Sequence, residues 1–264
     1  MCRIWCRLAL LVFGVLLILT PIKAQEFQHS YKLAAGGSIS IKNVSGDVSI
    51  TGYDGDVVVV NGYKEGRDRE DVTVEDRSTD NRVDIGVRYA PNCNCDASVR
   101  FEVRVPRSVN YNINRISTAS GNIEVEGVRG EIGVATASGD VTVKQVNGRI
   151  NASTASGEMR VRDVTGAVSA QSASGNVEVE IAQLVGTEDM KFSSASGDVH
   201  VRLPANLDAD VSLSSATGSI KTDFPIEVKE ERYGPGSQAH ARLGSGSRSI
   251  HISTASGDVS LMRY

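Results

Sequence analysis

The chain has 264 residues, 40% of them hydrophobic and 23% charged, with a net charge of −4 at pH 7. That length admits one large domain or two average ones, and the acidic balance supplies no basic field for nucleic acid. Residues 1–24 read as a secretory signal peptide: Arg3 and Arg7, an apolar run from Leu8 to Leu19, then Ile22, Lys23 and Ala24 before Gln25. A run of about a dozen residues is short for a bilayer span. The expectation is an exported protein (periplasm, cell surface or secreted) after cleavage near Ala24. This leader holds Trp5, the only Trp, with Cys2 and Cys6 and six of the thirteen Leu. The remaining 240 residues keep 25 basic and 32 acidic side chains, a net charge of −7. Seven Leu are too few for a helical protein of this size, and no later apolar run approaches ~18 residues, so no transmembrane segment is expected in the mature chain.

From residue 25 to 106 the pattern is β but irregular. Strands are predicted at Ser38–Ile41, Val48–Thr51 and Val57–Val60, around turns at Gly46 and Gly55, as first coils or a capping sheet. Residues 64–98 form a charged excursion with strands near Val72–Glu75 and Val83–Arg88. A strand from Val99 to Val105 stops at Pro106.

From residue 107 to 264 a repeat takes over. Thr-Ala-Ser-Gly or a near variant ends at Gly121, Gly139, Gly157, Gly175, Gly197, Gly218 and Gly257, and the first four are 18 apart. A second Gly falls nine residues on, at Gly130, Gly148 and Gly166. Each half-repeat alternates apolar and polar residues, as in Val141/Val143 and Ile150/Ala152/Thr154. One strand of about five residues and a turn, twice per repeat, make one coil of a parallel β-solenoid. A single coil cannot bury its apolar face, so coils must stack. The fold class expected is therefore all-β: a parallel β-solenoid of ~18-residue two-stranded coils, a less regular N-terminal β region, and an inserted hairpin or loop at 224–249.

Stacking makes columns. Thr118, Thr136, Thr154, Ser172 and Ser194 would form an inward hydroxyl column. The turn residues Ser120, Gly121, Ser138, Gly139, Ser156, Gly157, Ser174, Gly175, Ser196, Gly197, Ser256 and Gly257 read as structural, with the Ser expected to bond turn backbone groups. Outward, the expected lateral ion pairs are Glu126–Lys144, Arg162–Glu180, Glu180–Arg202 and Arg160–Glu178, with Glu126 beside Lys144 as the test of the 18-residue register. His200 falls in an outward column and is expected to face solvent.

The run INRISTASGNIEVEGVRGEIGVATASGDVTVKQVNG and the closing GSGSRSIHISTASGDVSL resemble the bacterial putative-adhesin families of unknown function, secreted β-strand-repeat domains akin in repeat style to autotransporter adhesin heads. The likeness covers roughly residues 30–264 and rests on the Ser-Gly-Asp/Asn-Val rhythm. It implies an extracytoplasmic, non-enzymatic β-solenoid and supplies no catalytic or binding residues.

Few residues suggest chemistry. Hexapeptide acyltransferase helices need a period of six rather than nine. Calcium β-rolls need Gly-Gly-x-Gly-x-Asp turns, whereas one Asp, Asn or Glu per turn here (Asp47, Asn122, Asp140, Glu158) reads as turn chemistry. Outward Thr for ice binding is absent, since the Thr share parity with the core. Cys93 and Cys95 offer a Cys-x-Cys disulfide, as a redox handle or a loop fastener. No Gly-x-Ser-x-Gly elbow occurs, and the four His show no ligand spacing around the Cys pair. The reading is an exported, non-catalytic, adhesin-like module with no cofactor or metal and an unknown protein or glycan of the cell envelope as partner. The alternatives are a polysaccharide-active enzyme using carboxylates of 64–98 or 224–249, if those segments converge, and a calcium-binding β-roll.

Overall fold

The computed structural model describes residues 27–230 and 235–264; the leader read at residues 1–24 lies outside them. The described residues are all-β, with a single 3-10 turn at Arg69–Asp71. Their strands form two large, mostly parallel sheets, one of 11 strands and one of 12, neither closed into a barrel.

The chain alternates between the sheets. Strand Arg129–Ser138 belongs to the larger and Val141–Lys144 to the smaller, with Gly139 at the corner. The next strands, Ile150–Ser156 and Met159–Thr165, repeat the move, and Ile132 pairs with Ile150 and Val141 with Met159 across 18 residues. This is a solenoid-like repeat. Because side chains alternate, Val141, Val143, Ile150 and Ala152 all point between the sheets, where they are buried. The inward residues of both sheets form one continuous core. Each buried Val or Ile there contributes about 1.5–3 kcal/mol. Phe101 and Phe192 are the largest fully buried side chains, which fits two sheets set close together.

The corner explains the glycines. At Gly157 φ is 141°, a conformation disfavoured for any residue with a Cβ, and a Cβ there would stand 2.0 Å from the Gly139 carbonyl oxygen. The turns can approach so closely only bare. In exchange, the Gly157 amide donates to the Ser174 carbonyl at 3.1 Å and the Met159 amide to the Asn176 carbonyl at 2.9 Å, so the backbone ladder continues round the bend.

Two side-chain columns reinforce it. The buried Thr136 and Thr154 hydroxyls donate to the Gly121 and Gly139 carbonyls of the neighbouring coil at 3.1 and 3.2 Å, and Ser194 and Thr254 to Gly175 and Gly197 at 2.9 and 2.8 Å. Ser172 occupies the same column, but its hydroxyl has no partner. After the Gly, Asp47 Oδ1 accepts the Asn122 amide, Asn122 Oδ1 the Asp140 amide and Asp140 Oδ1 the Glu158 amide, at 2.8–2.9 Å. The turn Ser residues act through their carbonyls; the hydroxyl-bearing side chains of Ser120, Ser138, Ser156, Ser174, Ser196 and Ser256 are exposed.

Lys144 does lie in register with Glu126, but the ion pairs run partly along diagonals. Lys144 reaches Glu124 at 3.6 Å, Arg162 reaches Glu178 at 2.9 Å in place of Glu180, and Arg160 pairs with Glu158. Only Glu180–Arg202, at 2.6 Å, is the lateral pair expected. Long side chains on a twisted sheet reach sideways as easily as straight across. His200 is likewise not left to solvent alone: its Nδ1 lies 2.8 Å from the Ser260 hydroxyl.

The stack does not follow chain order at its ends. Strands Ser38–Lys42 and Val48–Tyr53 form a coil that lies between Asn110–Glu126 and the pair Arg82–Tyr89 and Ala97–Pro106. At the other end the last strands, Ser249–Ser256 and Val259–Arg263, slide between Met190–Leu203 and Ala209–Thr222. Antiparallel additions finish each end: Phe27–Tyr31, Val58–Gly66 and Val72–Asp76 at one, Val228–Glu230 and Ser237–Leu243 at the other.

Substitutions along the columns should separate these roles in urea denaturation. Gly157→Ala is expected to cost about 2–4 kcal/mol, through strain and a backbone clash. Thr154→Val should cost about 1 kcal/mol for its lost hydrogen bond, while Ser172→Ala and the exposed Ser156→Ala should stay within about 0.5 kcal/mol.

Candidate functional site

Three places gather polar side chains beyond the repeat. The first is the loop carrying Cys93 and Cys95, which are joined as a disulfide with Cα atoms 5.1 Å apart. The Asp71 carboxylate stands beside them, and one ligand atom from each of the three residues lies within 4.8 Å of the others.

The second is at the open end of the stack. Asp76 closes strand Val72–Asp76, and its Oδ2 accepts the Tyr31 hydroxyl at 2.7 Å and lies 2.7 Å from His29 Nδ1, while Oδ1 accepts the Ser78 amide at 3.0 Å. Period-two alternation puts His29 and Tyr31 on one face of strand Phe27–Tyr31, so both reach the same carboxylate. Burial works to raise the Asp76 pKa, but the hydrogen bonds from Ser78, Tyr31 and His29 outweigh it and hold the group at about 2, against an ordinary 3.8. Burial and the neighbouring Asp76 push Tyr31 far up. A carboxylate of such low basicity is a poor proton acceptor, and a phenol held protonated is a poor nucleophile. The His-Asp-Tyr group is built as a fastener between the edge strand and the turn after Val72–Asp76.

The third is a groove of about 500 Å³ on the outer face of the smaller sheet. Its floor comes from strand Val48–Tyr53, whose outward Ser49 and Thr51 are short. On one side Glu102 and Arg104 stand opposite them, on the other Glu124 and Glu126. Arg104 lies over the Tyr53 ring at 4.5 Å and Arg100 over the Tyr63 ring at 4.3 Å; Arg100 also pairs with Glu102. Stacking of this kind fixes the guanidinium planes; the edge of Arg100 is taken by Glu102 and Glu65, while among the described residues no ion pair engages Arg104. Both signs of charge line the rim, so the groove suits a neutral, hydroxyl-rich surface better than a polyanion. The groove exists because a coil of small outward residues is wedged between coils of long ones.

Sequence reasoning missed this groove. Thr51 and Arg104 are 53 residues apart and meet only through the out-of-order stacking. The residue-level signal was the absence of charge at Ser49 and Thr51 in columns that elsewhere carry Glu, Lys and Arg. The two irregular segments whose convergence would favour an enzyme lie at opposite ends of the sheets, 64–98 beside Phe27–Tyr31 and 224–249 beside Ala209–Ser215. No carboxylate trio gathers in the Asp/Asn column among the described residues, where Oδ1 atoms are already committed to amides. No helix of the described residues is long and apolar enough to cross a membrane.

A family model described as Toastrack DUF4097 matches residues 23–262. A comparison with curated proteins finds no match. Among solved structures, the chain is similar to a putative adhesin from Bacteroides fragilis NCTC 9343, at 12% identity over 89% of this chain and 96% of that one, with a TM-score of 0.44. It is also similar to a putative cell adhesion protein from Clostridium sporogenes ATCC 15579 (10% identity, 90% and 99% covered, TM-score 0.36). A putative lipid binding protein from Parabacteroides distasonis ATCC 8503 is similar at 10% identity, 89% and 96% covered, with a TM-score of 0.30.

The fastener has a pH signature. A carboxyl held at about 2 when folded and 3.8 otherwise adds stability above the higher value and loses it as the pH falls through the lower. Asp76→Asn should therefore lower stability at pH 7 by about 1–2 kcal/mol, with the difference from the parent shrinking between pH 4 and 2, as followed by thermal melts across that range.

Proposed function

The chain belongs to the Toastrack DUF4097 family, and from that membership we propose that it is an exported, non-catalytic, adhesin-like interaction module whose partner is a protein or glycan of the cell envelope. The leader read at residues 1–24, with cleavage near Ala24, would deliver it to the periplasm, the cell surface or the medium. A Cys93–Cys95 disulfide fits an oxidising compartment.

The observation that carries the reading is the groove over Ser49 and Thr51. Its rim offers a donor edge on Arg104 and acceptors from Glu102 and Glu124, with the short hydroxyls of Ser49 and Thr51 on the floor. Neutral sugars present hydroxyls that both donate and accept, and this rim complements them. The polysaccharide-active alternative gains little from a fold that sets the two irregular segments apart and leaves Asp76 a weak base. The calcium alternative gains little from Asx oxygens already bonded to backbone amides.

A glycan array probed with the mature chain, with and without calcium, tests the proposal. The expected result is binding to neutral glycans that is indifferent to calcium and weakened about tenfold or more by Arg104→Ala or the groove-filling Ser49→Tyr, a loss of about 1.4 kcal/mol or more. Binding untouched by both substitutions would move the site elsewhere, and glycan turnover would overturn the non-catalytic reading.

A further inference from the structure

The disulfide loop has more structure than a fastener needs. Its two ends are already tied down. The Ala90 amide donates to the Asp71 carbonyl at 3.0 Å, the Asp96 amide to the Asp68 carboxylate at 2.8 Å, Arg67 pairs with Asp96 at 2.8 Å, and the Tyr89 hydroxyl donates to the Ala97 carbonyl at 3.0 Å. A bond between residues two apart closes a very short loop and so removes little chain entropy. What the bond does achieve is to park two sulfurs beside a carboxylate. Asp71 ends the 3-10 turn Arg69–Asp71, and its own backbone anchors the Cys loop, so the three side chains are held together from both sides. Among the described residues no ion pair or hydrogen bond engages the Asp71 carboxylate, although arginines crowd this end of the stack.

We propose that Asp71, Cys93 and Cys95 form a thiol-gated site for a thiophilic divalent cation of the zinc or cadmium class. In the disulfide form the sulfurs cannot serve as thiolates and the site is shut. A dithiol reductant opens it: the S–S bond of Cys93–Cys95 breaks, two electrons and two protons pass to the pair, and the reductant leaves as its own disulfide. The cation then displaces two protons, one from each thiol, and takes two thiolates and the Asp71 carboxylate, with water as the fourth ligand. Tetrahedral geometry with Zn–S bonds of ~2.3 Å places the sulfurs ~3.8 Å apart. Ligand atoms already within 4.8 Å of one another need only side-chain rotation to reach it. Two thiolates and one carboxylate favour a soft or borderline cation over calcium or magnesium, which sets this site apart from the hard-cation chemistry of β-rolls.

The test is a cadmium titration of the full chain carrying Cys2→Ser and Cys6→Ser, followed by the ultraviolet thiolate-to-cadmium charge-transfer band. The reduced protein is expected to develop the band and saturate at one cadmium per chain, and the oxidised protein to show none. Asp71→Asn, with an unchanged free-thiol count and circular dichroism spectrum, should weaken cadmium binding about tenfold or more, and Cys93→Ser should abolish the band. A reduced protein with no band, saturation at one cadmium per two chains, or an Asp71→Asn variant that binds as tightly as its parent would each overturn the proposal.

Discussion

The structure depends on how closely one turn can lie on the next. At each corner the Gly Cα of one coil sits against the Gly carbonyl of its neighbour, and a Cβ at Gly139 or Gly157 would come to 2.0 Å from that oxygen. With the turns bare, the backbone ladder runs through the corner instead of stopping there. Close approach also brings the Thr136 and Thr154 hydroxyls within reach of the next coil's Gly carbonyl, and the Asp47, Asn122 and Asp140 oxygens within reach of the next amide. The core can then be thin. Val and Ile make up most of it, and the hydrogen bonds at the corners add cohesion between coils.

The same closeness lets coils be added out of order. Since every coil presents the same bare corner and the same columns, a terminal coil can enter between two others without new chemistry. Gly46 lies under Gly121, and Gly257 between Gly197 and Gly218, as comfortably as neighbours 18 residues apart. Both terminal coils thereby gain partners on two sides; antiparallel strands finish both ends of the larger sheet and one end of the smaller, whose other edge is only the short parallel strand Ile220–Thr222. The contacts that result are far apart in sequence, which raises the loop-closure entropy of folding and favours slow assembly. They also bring short outward side chains of one coil between long ones of others, and the groove over Ser49 and Thr51 is the outcome.

How much could be read in advance follows from this. The period, the parity of Ile132, Val134 and Thr136, and the turn glycines are local properties, and they are legible because alternation and φ requirements act on consecutive residues. The order of the coils is not local. The Ser-Gly-Asp corner at Gly257 matches the one at Gly197 and differs from Thr-Gly-Ser at Gly218, but it matches the corner at Gly139 just as well, so the motif does not tell which corners it stacks on. Ion-pair partners were half legible: the columns were right, but Arg162 chooses Glu178 over Glu180 because reach and sheet twist decide between two near-equal distances. The candidate sites escaped for the same reason. Asp71 meets Cys93 and Cys95, His29 and Tyr31 meet Asp76, and Thr51 meets Arg104 only once the irregular N-terminal strands are laid against the stack.

Stacking order is thus the claim on which both the fold and the groove rest, and paired cysteines test it directly. Ser193 and Ser253 face outward in register on adjacent strands, and Ser214 lies one strand further on, beyond Ser253. Adjacent in-register Cα atoms are ~4.8 Å apart and within disulfide reach, whereas a separation of two strands, ~9.6 Å, is not. Under mild oxidation, Ser193→Cys with Ser253→Cys should cross-link within the chain and Ser193→Cys with Ser214→Cys should not, as read by peptide mapping without reduction. Cross-linking of the 193/214 pair with none at 193/253 would mean that the coils stack in chain order, and would contradict the account.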